Sequence, residues 1–229
     1  MAHSSGSLPG FGLRAFRTGI ENESSNFLQP KLQLSDDSWK RLFVHYQSLR
    51  LWNPTVGLIS RSSTDEVLGR HYGESIAGLA LLPEGKLLDF GSGGGFPGLV
   101  LAACRPNQRV ILIESRGRKV AFLRQAIASM GLKNCRVFNI HWEETTVSPD
   151  QSLPLALGSF AEEAPFTTVS ARAVRMQTYV PSLEPLLAPS AHWLAWGLGA
   201  GPDRPNWQLL RSLPLGGQRR LSDFIRTTT

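Results

Sequence analysis

The feature that most constrains the fold of this 229-residue chain is a run of glycines directly after a short apolar strand. The run reads Leu87-Leu88-Asp89-Phe90-Gly91-Ser92-Gly93-Gly94-Gly95-Phe96-Pro97-Gly98. Glycines at the end of a strand let the backbone approach a ligand closely, and the helix that follows offers free N–H groups in its first turn. A strand, a tight loop and a helix in this order are typical of an α/β protein that binds a ligand at the loop.

The spacing of these glycines has two interpretations. Gly93-x-Gly95-x-x-Gly98 matches the fingerprint of dinucleotide-binding proteins, whereas Gly91-x-Gly93-x-Gly95 preceded by Asp89 matches loops that bind S-adenosylmethionine (SAM). A carboxylate at position 89 suits the ammonium group of SAM and would repel a pyrophosphate brought to the same turn. We therefore predict a SAM site in which this acid and the three glycines 91, 93 and 95 bind the cofactor.

Acidic and aromatic residues follow the next two predicted strands. Glu114 ends the second strand, where a carboxylate can accept hydrogen bonds from both ribose hydroxyls, although enzymes that use NAD share this acid. The other interpretation of Glu114 is a solvated loop acid. After the third strand, Trp142 and Glu143 either flank an adenine or serve as a core aromatic and a surface charge, and the sequence leaves these alternatives open.

Arg172 follows the fourth predicted strand, at the edge where methyltransferases commonly place a residue that faces the substrate. We predict that Arg172 faces the substrate and positions it. The five histidines show no paired spacing of metal ligands, so no metal site is predicted. We expect His71, on a predicted helix, to be packed or capped rather than catalytic.

Strands and helices alternate from residue 86 onwards, which predicts an α/β fold with a mostly parallel sheet. The predicted strands are Lys86–Phe90, Arg109–Ile113, Cys135–Asn139, Phe166–Ser170 and His192–Trp196. The predicted helices between them are Pro97–Cys104, Arg116–Met130 and Gln177–Leu187. We predict that an antiparallel hairpin of Trp207–Leu215 and Arg219–Arg226 follows. Before them we predict a helix from the N-cap Ser35 to Asn53-Pro54 and another over about 64–82. Residues 1–30 lack periodicity and are expected to be a mobile tail. Residues 31–229 then form one domain, with a helical part at 31–84 and the sheet at 85–229.

The basic composition favours a phosphate-rich partner. The chain carries a formal charge of +6, and nineteen of its 24 basic residues are arginine, which suits bidentate contacts to phosphates and base edges. The alternative is a solvated, arginine-rich surface. No apolar run reaches the roughly 18–20 residues that a membrane span needs. The N-terminus does not resemble a secretory signal, and two cysteines form no framework of disulfides, so we expect a cytoplasmic protein.

Four motifs together resemble one family, the bacterial small-subunit ribosomal RNA methyltransferase G, also called glucose-inhibited division protein B. They are LLDFGSGGGFPGLVLA, LIESRGRKVAFLR, the strand that ends in HWEE, and VSARAV. The upstream WNPTVGLISRSSTDEVLGRHYGESI and the C-terminal QRRLSDFI are similar to the same family. The resemblance covers roughly residues 36–226, and the glycine loop with Phe96-Pro97-Gly98 is its most specific part.

The resemblance implies a class I SAM-dependent methyltransferase, Rossmann-like, that acts on N7 of one guanine in 16S ribosomal RNA. The residues that it places at the cofactor are Gly91, Phe96, Trp142, Glu143 and Arg172, with Glu114 at the ribose. It implies that the partner is 16S ribosomal RNA or a precursor of the small ribosomal subunit, and we expect a monomer. Two other functions stay open, a methyltransferase of small molecules or proteins and a non-catalytic nucleotide-binding module, which could bind NAD.

This chain also departs from residues that are typical of the family. The departures are Gly57 for Asn, Glu74 for Asp, His141 for Arg, Trp142 for a small residue and Trp196 for Lys. The lost lysine and asparagine affect the surface that would face RNA more than they affect the cofactor site.

Overall fold

One sheet organises the part of the chain that the computed structural model describes, which is residues 12–25, 27, 33–60, 65–142, 155–174, 179–197, 201–202 and 204–227. Its strands are β1 (Leu87–Phe90), β2 (Val110–Glu114), β3 (Cys135–Asn139), β4 (Phe166–Arg172), β5 (Leu187–Trp196), β6 (Trp207–Pro214) and β7 (Arg220–Arg226). They lie in the order β3-β2-β1-β4-β5-β7-β6. The first five are parallel, and β7 is antiparallel to both of its neighbours. The predicted sheet and C-terminal hairpin are therefore confirmed.

Helices cover both faces of this sheet. They are α1 (Leu13–Ser24), α2 (Asp36–Val56), α3 (Asp65–Ala77), α4 (Gly98–Cys104), α5 (Gly117–Ser129) and α6 (Val180–Leu183), with 3-10 segments at Gly78–Ala80, Leu155–Glu163 and Glu184–Leu186. Side chains alternate along a strand, so Leu87 and Leu88 face opposite sides. Leu87 packs in one apolar cluster with residues of α1 to α5, and Leu88 packs in a second cluster with Phe160 and Leu183.

Helix α2 begins as predicted and ends later than predicted. The Ser35 side chain accepts a hydrogen bond from the backbone N–H of Ser38, as an N-cap does. Pro54 does not end the helix, which continues to Val56 and stops at Gly57 with a left-handed backbone. Proline in the last turn removes a single backbone donor. The Asn53 side-chain oxygen accepts hydrogen bonds from the backbone N–H groups of the two residues after Gly57, which stabilises the helix end.

Helix α1 corrects part of the prediction of a mobile tail over residues 1–30, of which residues 1–11, 26 and 28–30 lie outside the described residues. Within that segment Leu13–Ser24 is helical, and Phe16 and Ile20 are buried in the first apolar cluster. The Phe16 ring lies 5.0 Å from the Tyr72 ring, measured between centroids, in an edge-to-face arrangement. The apolar stripe of this helix is short and is flanked by glycine, serine and asparagine, so it was not recognised in the sequence. The helix is stabilised by its packing on α2 and α3 rather than by its own helix propensity.

The segment before β5 also differs from its prediction. Of the helix predicted over Gln177–Leu187, residues 177 and 178 lie outside the described part, and the rest forms α6 followed by a 3-10 turn. Pro185 stands inside this turn and has no N–H to donate, so an α-helix cannot continue regularly through it. Strand β5 then begins at Leu187 rather than His192, and its pairing with β4 has a register shift between Phe166 and Thr168.

Among the described residues, no helix has both the length and the apolar character that crossing a membrane requires.

Candidate functional site

The glycine loop lies where the order of the parallel strands reverses. Strand β1 pairs with β2 on one side and with β4 on the other. Ligands of open α/β sheets bind in the crevice at such a point, beyond the carboxyl ends of the strands. The loop that the sequence singled out therefore borders the expected crevice.

The loop backbone depends on its glycines. Gly91, Gly93 and Gly95 have φ angles of 72°, 54° and 86°, a left-handed conformation that side chains with a Cβ rarely adopt. A Cβ at position 91 would lie 2.7 Å from Cγ2 of Val174, so a larger residue there would also displace the wall opposite. The crevice between the two walls stays open because no Cβ fills it.

A cavity of about 780 Å³ opens above the carboxyl ends of β2, β1 and β4. Its volume lies within the range of sites for cofactors and small ligands. The lining includes the loop residues Gly91 to Gly94 and Phe96, then Glu114, Arg116 and Lys119 on the β2 side, Trp142 after β3, Arg172 to Val174 after β4, and Arg70 and His71 from α3. The cavity is thus built from at least five separate parts of the chain.

The structure brings together most of the residues predicted to bind a cofactor. Those that line the cavity are Gly91, Gly93, Phe96, Glu114, Trp142 and Arg172. Gly95 is outside the lining, since a Cβ on it would lie 2.6 Å from Cδ1 of Leu99, towards the interior. Glu143 lies outside the described residues.

Glu114 is tied to the loop by its carboxylate. Oε2 accepts a hydrogen bond from the backbone N–H of Gly93 at 3.0 Å, and Oε1 accepts one from the N–H of Arg116 at 2.9 Å. The side chain is buried, so it is not the solvated loop acid of the alternative interpretation. A carboxylate has about four acceptor positions, and Glu114 keeps capacity for further donors in the cavity.

Asp89 does not contact the cavity, contrary to the prediction that it binds a ligand directly. Because side chains alternate along β1, Phe90 lines the cavity while Asp89 lies beneath the loop, where a Cβ on Gly98 would be 2.5 Å from its Oδ2. Its Oδ1 accepts a hydrogen bond from Oγ of Ser170 at 2.7 Å, and its buried Oδ2 has no partner among the described residues. Burial raises the pKa of Asp89 to about 6.

Trp142 is a core aromatic, the first of the two interpretations that the sequence left open, and its place in the cavity wall is compatible with the second. It is a buried core residue whose ring packs edge-to-face on Phe90, and it also lines the cavity. Its indole N–H donates to Oγ of Ser182 at 2.8 Å, which fixes the ring plane.

Arg172 is held by helix α3. One terminal nitrogen donates to Oε2 of Glu74 at 2.5 Å and to Nδ1 of His71 at 2.7 Å, and the other donates to the backbone oxygen of His71 at 3.4 Å. The guanidinium therefore has a fixed orientation in the cavity wall. The charge-assisted contact with Glu74 is the stronger kind of hydrogen bond, and the two contacts with His71 add geometric constraint.

Glu74 connects this wall to the C-terminal strands. Its carboxylate also lies 2.6 Å from a terminal nitrogen of Arg219 and 3.9 Å from Nε of Arg70, and its backbone oxygen accepts a hydrogen bond from the indole of Trp196. Three arginines thus surround one buried carboxylate, which leaves a cationic excess at this end of the cavity. Trp196, which stands where the family typically has lysine, contributes a neutral donor here.

Sequence reasoning missed two residues at the site, His71 and His45. His71 lines the cavity, although it was expected to be only packed or capped. His45 is fully buried, with Nε2 2.9 Å from the backbone oxygen of Gly94 and Nδ1 2.7 Å from the Tyr72 hydroxyl. The carbonyl can only accept, so Nε2 carries the proton and holds the loop. Burial lowers the pKa of His45 to about 4, so the ring is neutral. The signal in the sequence that could have identified His45 is its place, as a polar residue, on the otherwise apolar face of α2.

Comparison with known proteins decides the family. A family model described as GidB, rRNA small subunit methyltransferase G, matches residues 39–197, which is more than half of the chain. The chain belongs to the rRNA small subunit methyltransferase G family. The resemblance seen in the sequence motifs is confirmed.

Two curated relatives in this family carry the name ribosomal RNA small subunit methyltransferase G. The one from Acinetobacter baumannii is 41% identical over 103 residues, 45% of this chain and 49% of that protein. The match thus spans about half the length of this relative. The one from Halorhodospira halophila is 33% identical over 166 residues, 72% of each chain.

A solved structure shares the fold. The putative methyltransferase yhhF from Escherichia coli is 22% identical, with a TM-score of 0.51 over 75% of this chain and 91% of that chain. This likeness concerns the fold alone. Together with the mostly parallel sheet and its antiparallel C-terminal strands, it confirms the predicted class I methyltransferase α/β fold.

Proposed function

We propose that this protein is a SAM-dependent methyltransferase that methylates N7 of one guanine in 16S ribosomal RNA. The observation that carries the proposal is the bond between the Glu114 carboxylate and the Gly93 backbone, at the switch point of the sheet, in a member of this family. The acid and the glycine loop form one wall, which suits a nucleoside with its ribose at Glu114 and its remaining atoms along the loop.

The residues of the cavity fit this cofactor. The absence of side chains at Gly91 and Gly93 leaves room along the loop. Glu114 accepts hydrogen bonds from Gly93, Arg116 and Ser115, which leaves about one of its four acceptor positions open to a ribose hydroxyl. Trp142 and Phe90 offer an apolar wall for an adenine. Arg116, Lys119 and Arg172 offer cations for a carboxylate. When bound, SAM supplies an electrophilic methyl group on a sulfonium centre.

The chemistry requires positioning more than proton transfer. Guanine N7 has a free lone pair, so no base must remove a proton before it attacks the methyl group. The protein must align the two reactants, and orientation can lower the activation free energy by at most about 7–11 kcal/mol. Arg172, fixed on Glu74 and His71, belongs to the rigid wall that this alignment needs.

Asp89 no longer distinguishes SAM from NAD, because it lies beneath the loop. The family match is what favours SAM. Calorimetry on the purified protein tests this directly, with SAM and NAD titrated separately. We expect SAM to bind and NAD not to bind. We expect Glu114→Gln to weaken SAM binding about tenfold or more, since it removes the charge from the acceptor. The matched control is Glu84→Gln, which changes an exposed acid far from the cavity. Binding of NAD alone would overturn the cofactor assignment.

The RNA substrate is tested with labelled methyl groups. We expect transfer from SAM to 16S ribosomal RNA or to small subunits from cells that lack this methylation, and none to a mixture of bacterial proteins or metabolites. Labelling of proteins or metabolites without labelling of RNA would favour the alternative, a methyltransferase of small molecules or proteins. The cationic excess around Glu74 supports RNA as the substrate.

We further infer that the protein acts in the cytoplasm as a monomer, on 16S ribosomal RNA or on a precursor of the small subunit. Light scattering during gel filtration gives the oligomeric state, and parallel assays with naked RNA and assembled subunits give the preferred partner. A dimer with a composite site would contradict the first inference.

A further inference from the structure

The contact between Arg172 and His71 fixes where the imidazole proton lies. A guanidinium has five N–H donors and no acceptor. Its nitrogen lies 2.7 Å from Nδ1 of His71, so Nδ1 must accept the hydrogen bond. In the neutral ring the single proton is then on Nε2, which makes that atom a donor.

The surroundings keep this ring neutral. Burial and the positive charges of Arg172, Arg70 and Arg219 lower the pKa of His71 to about 4. Glu74 is the acid that faces the same cluster, and its carboxylate is surrounded by these three arginines. At neutral pH His71 therefore presents an uncharged N–H rather than a cation.

The Nε2 donor of His71 is available to a ligand. The hydrogen bonds that the described residues make with His71 use Nδ1 and the backbone oxygen, which accepts from Arg172 and from the Ser75 hydroxyl. None of them uses Nε2. His71 is partly exposed in the cavity wall, on the β4 side, opposite the nucleoside end marked by Glu114. If the cofactor lies along the glycine loop with its ribose at Glu114, the β4 side of the cavity, where His71 lies, is the part left for the methyl acceptor.

Arg172 is less suited to contact the acceptor base itself. One of its terminal nitrogens is shared between Glu74 and His71, and the other lies at the His71 backbone. Its fixed contacts make it the group that orients the imidazole. Sequence reasoning had assigned the base contact to Arg172 as one of two roles.

We propose that His71 reads the methyl-accepting guanine by donating its Nε2–H to O6, while Arg172 and Glu74 position the imidazole. The inference rests on the proposed function and names the residue that selects its base. Guanine presents O6 beside N7 on one edge, and both are acceptors, whereas adenine presents an amino donor in place of O6. A neutral donor on O6 leaves the N7 lone pair free to react, and it would oppose the amino group of adenine.

The test combines a change in the protein with a change in the base. Single-turnover methylation is measured on 16S ribosomal RNA assembled by ligation, with either guanine or 2-aminopurine at the methylated position. 2-Aminopurine keeps N7 and lacks O6. For the wild type we expect the base change to slow transfer about ten- to a hundredfold, as the loss of one partner of a buried hydrogen bond does. For His71→Phe the same base change should cost at least about fivefold less than in the wild type, because the donor is already absent and only the lower intrinsic nucleophilicity of N7 in 2-aminopurine remains.

Two variants control this comparison. His71→Gln carries an amide N–H near the position of Nε2, so it should recover part of the preference for guanine. His141→Phe makes the same substitution at the other histidine of the cavity wall, on the β3 side, and should keep the wild-type ratio between the two bases. SAM affinity and the melting temperature of each variant report whether it folds.

A second readout needs no reaction. In the free protein, ¹⁵N shifts of the His71 ring should show the Nε2–H tautomer, uncharged from pH 7 down to about pH 5. A proton on Nδ1, or a charged ring at pH 7, would overturn the proposal. So would a His71→Phe variant that discriminates between the two bases as the wild type does. If the wild type methylates no guanine in 16S RNA, the proposed function itself is wrong, and the two failures are thereby distinguished.

Discussion

At the scale of single residues, the position of a side chain along a strand decides whether it faces the crevice or the layer beneath it. Glu114 and the glycines could be placed from the sequence because the carboxyl ends of parallel strands meet at one edge. Asp89 could not, since a shift of one position along β1 moves a side chain from the crevice to the layer beneath it. The place of His71 in the site could not be predicted either, because its ring is oriented by Arg172. These two residues are 101 positions apart in the sequence, and their side chains are 2.7 Å apart in space.

The placement of Asp89 predicts how stability depends on pH. Its pKa is raised from 3.8 to about 6 in the folded protein, so the folded state binds the proton more tightly than the unfolded state. The stabilisation from the protonated form is complete below about pH 4 and is lost as the pH rises through 6. In Asp89→Asn this loss is absent. The variant should therefore gain roughly 2–3 kcal/mol relative to the wild type between pH 4 and 7. Urea unfolding of both proteins across this range measures it, and a difference that does not change with pH contradicts the prediction.

The contacts of Arg172 predict a graded loss of activity. Lysine keeps a positive charge for Glu74, but it has no second terminal nitrogen for the His71 backbone oxygen and no planar fork to hold the imidazole, so Arg172→Lys should slow methyl transfer. Arg172→Ala should be worse, since it removes the charge and all of these contacts. One charge-assisted contact is worth roughly 1.5–3 kcal/mol, or about ten- to a hundredfold in rate. Single-turnover methylation of 16S ribosomal RNA checks both variants. Wild-type rates in Arg172→Ala, with unchanged SAM affinity, would mean that this arginine only covers the edge of the sheet.

At the scale of elements, apolar runs bounded by glycine and proline predicted every strand of the parallel sheet to within a few residues at most ends. The N-terminal helices were harder. Helix α1 has little intrinsic stability, and its burial of Phe16 and Ile20 depends on surfaces of α2 and α3 that exist only after folding. The end of α2 was missed for a local reason, the side-chain cap that Asn53 provides beyond Pro54.

The packing of helix α1 predicts a loss of stability on substitution that would not be expected if this segment were a mobile tail. Phe16→Ala should destabilise the protein by about 3–5 kcal/mol, since it removes a buried aromatic ring from the first apolar cluster. The matched control is Arg14→Ala, at an exposed position of the same helix. Chemical denaturation gives both values. Equal stability of the two variants would mean that α1 does not pack as described.

At the scale of the whole molecule, the charge of +6 was visible in the composition, but its distribution was not. Arg70, Arg172 and Arg219 come from three distant parts of the chain and meet at one carboxylate beside the cavity. Only the fold brings them together, so sequence patterns could predict a phosphate-rich partner without predicting where it binds.

This charge distribution predicts a strong dependence of RNA binding on salt. Each phosphate contact should lower affinity by about 0.9 log units per tenfold rise in salt on duplex RNA, and by somewhat less on single strands. Filter binding or anisotropy with a 16S RNA fragment, from about 50 to 200 mM salt, gives the slope. A slope near zero would mean that the arginines form only a solvated surface.

Methylation of guanine N7 in 16S ribosomal RNA leaves a product that can be identified directly. The purified protein is incubated with SAM and with small subunits from a strain that lacks the gene, and the 16S ribosomal RNA is digested with nuclease and analysed by mass spectrometry. We predict one new 7-methylguanosine, at a single position, which is absent when SAM is omitted and reduced in Glu114→Gln. Digested RNA with no added methyl group, or with the methyl group on another atom or another base, would contradict it.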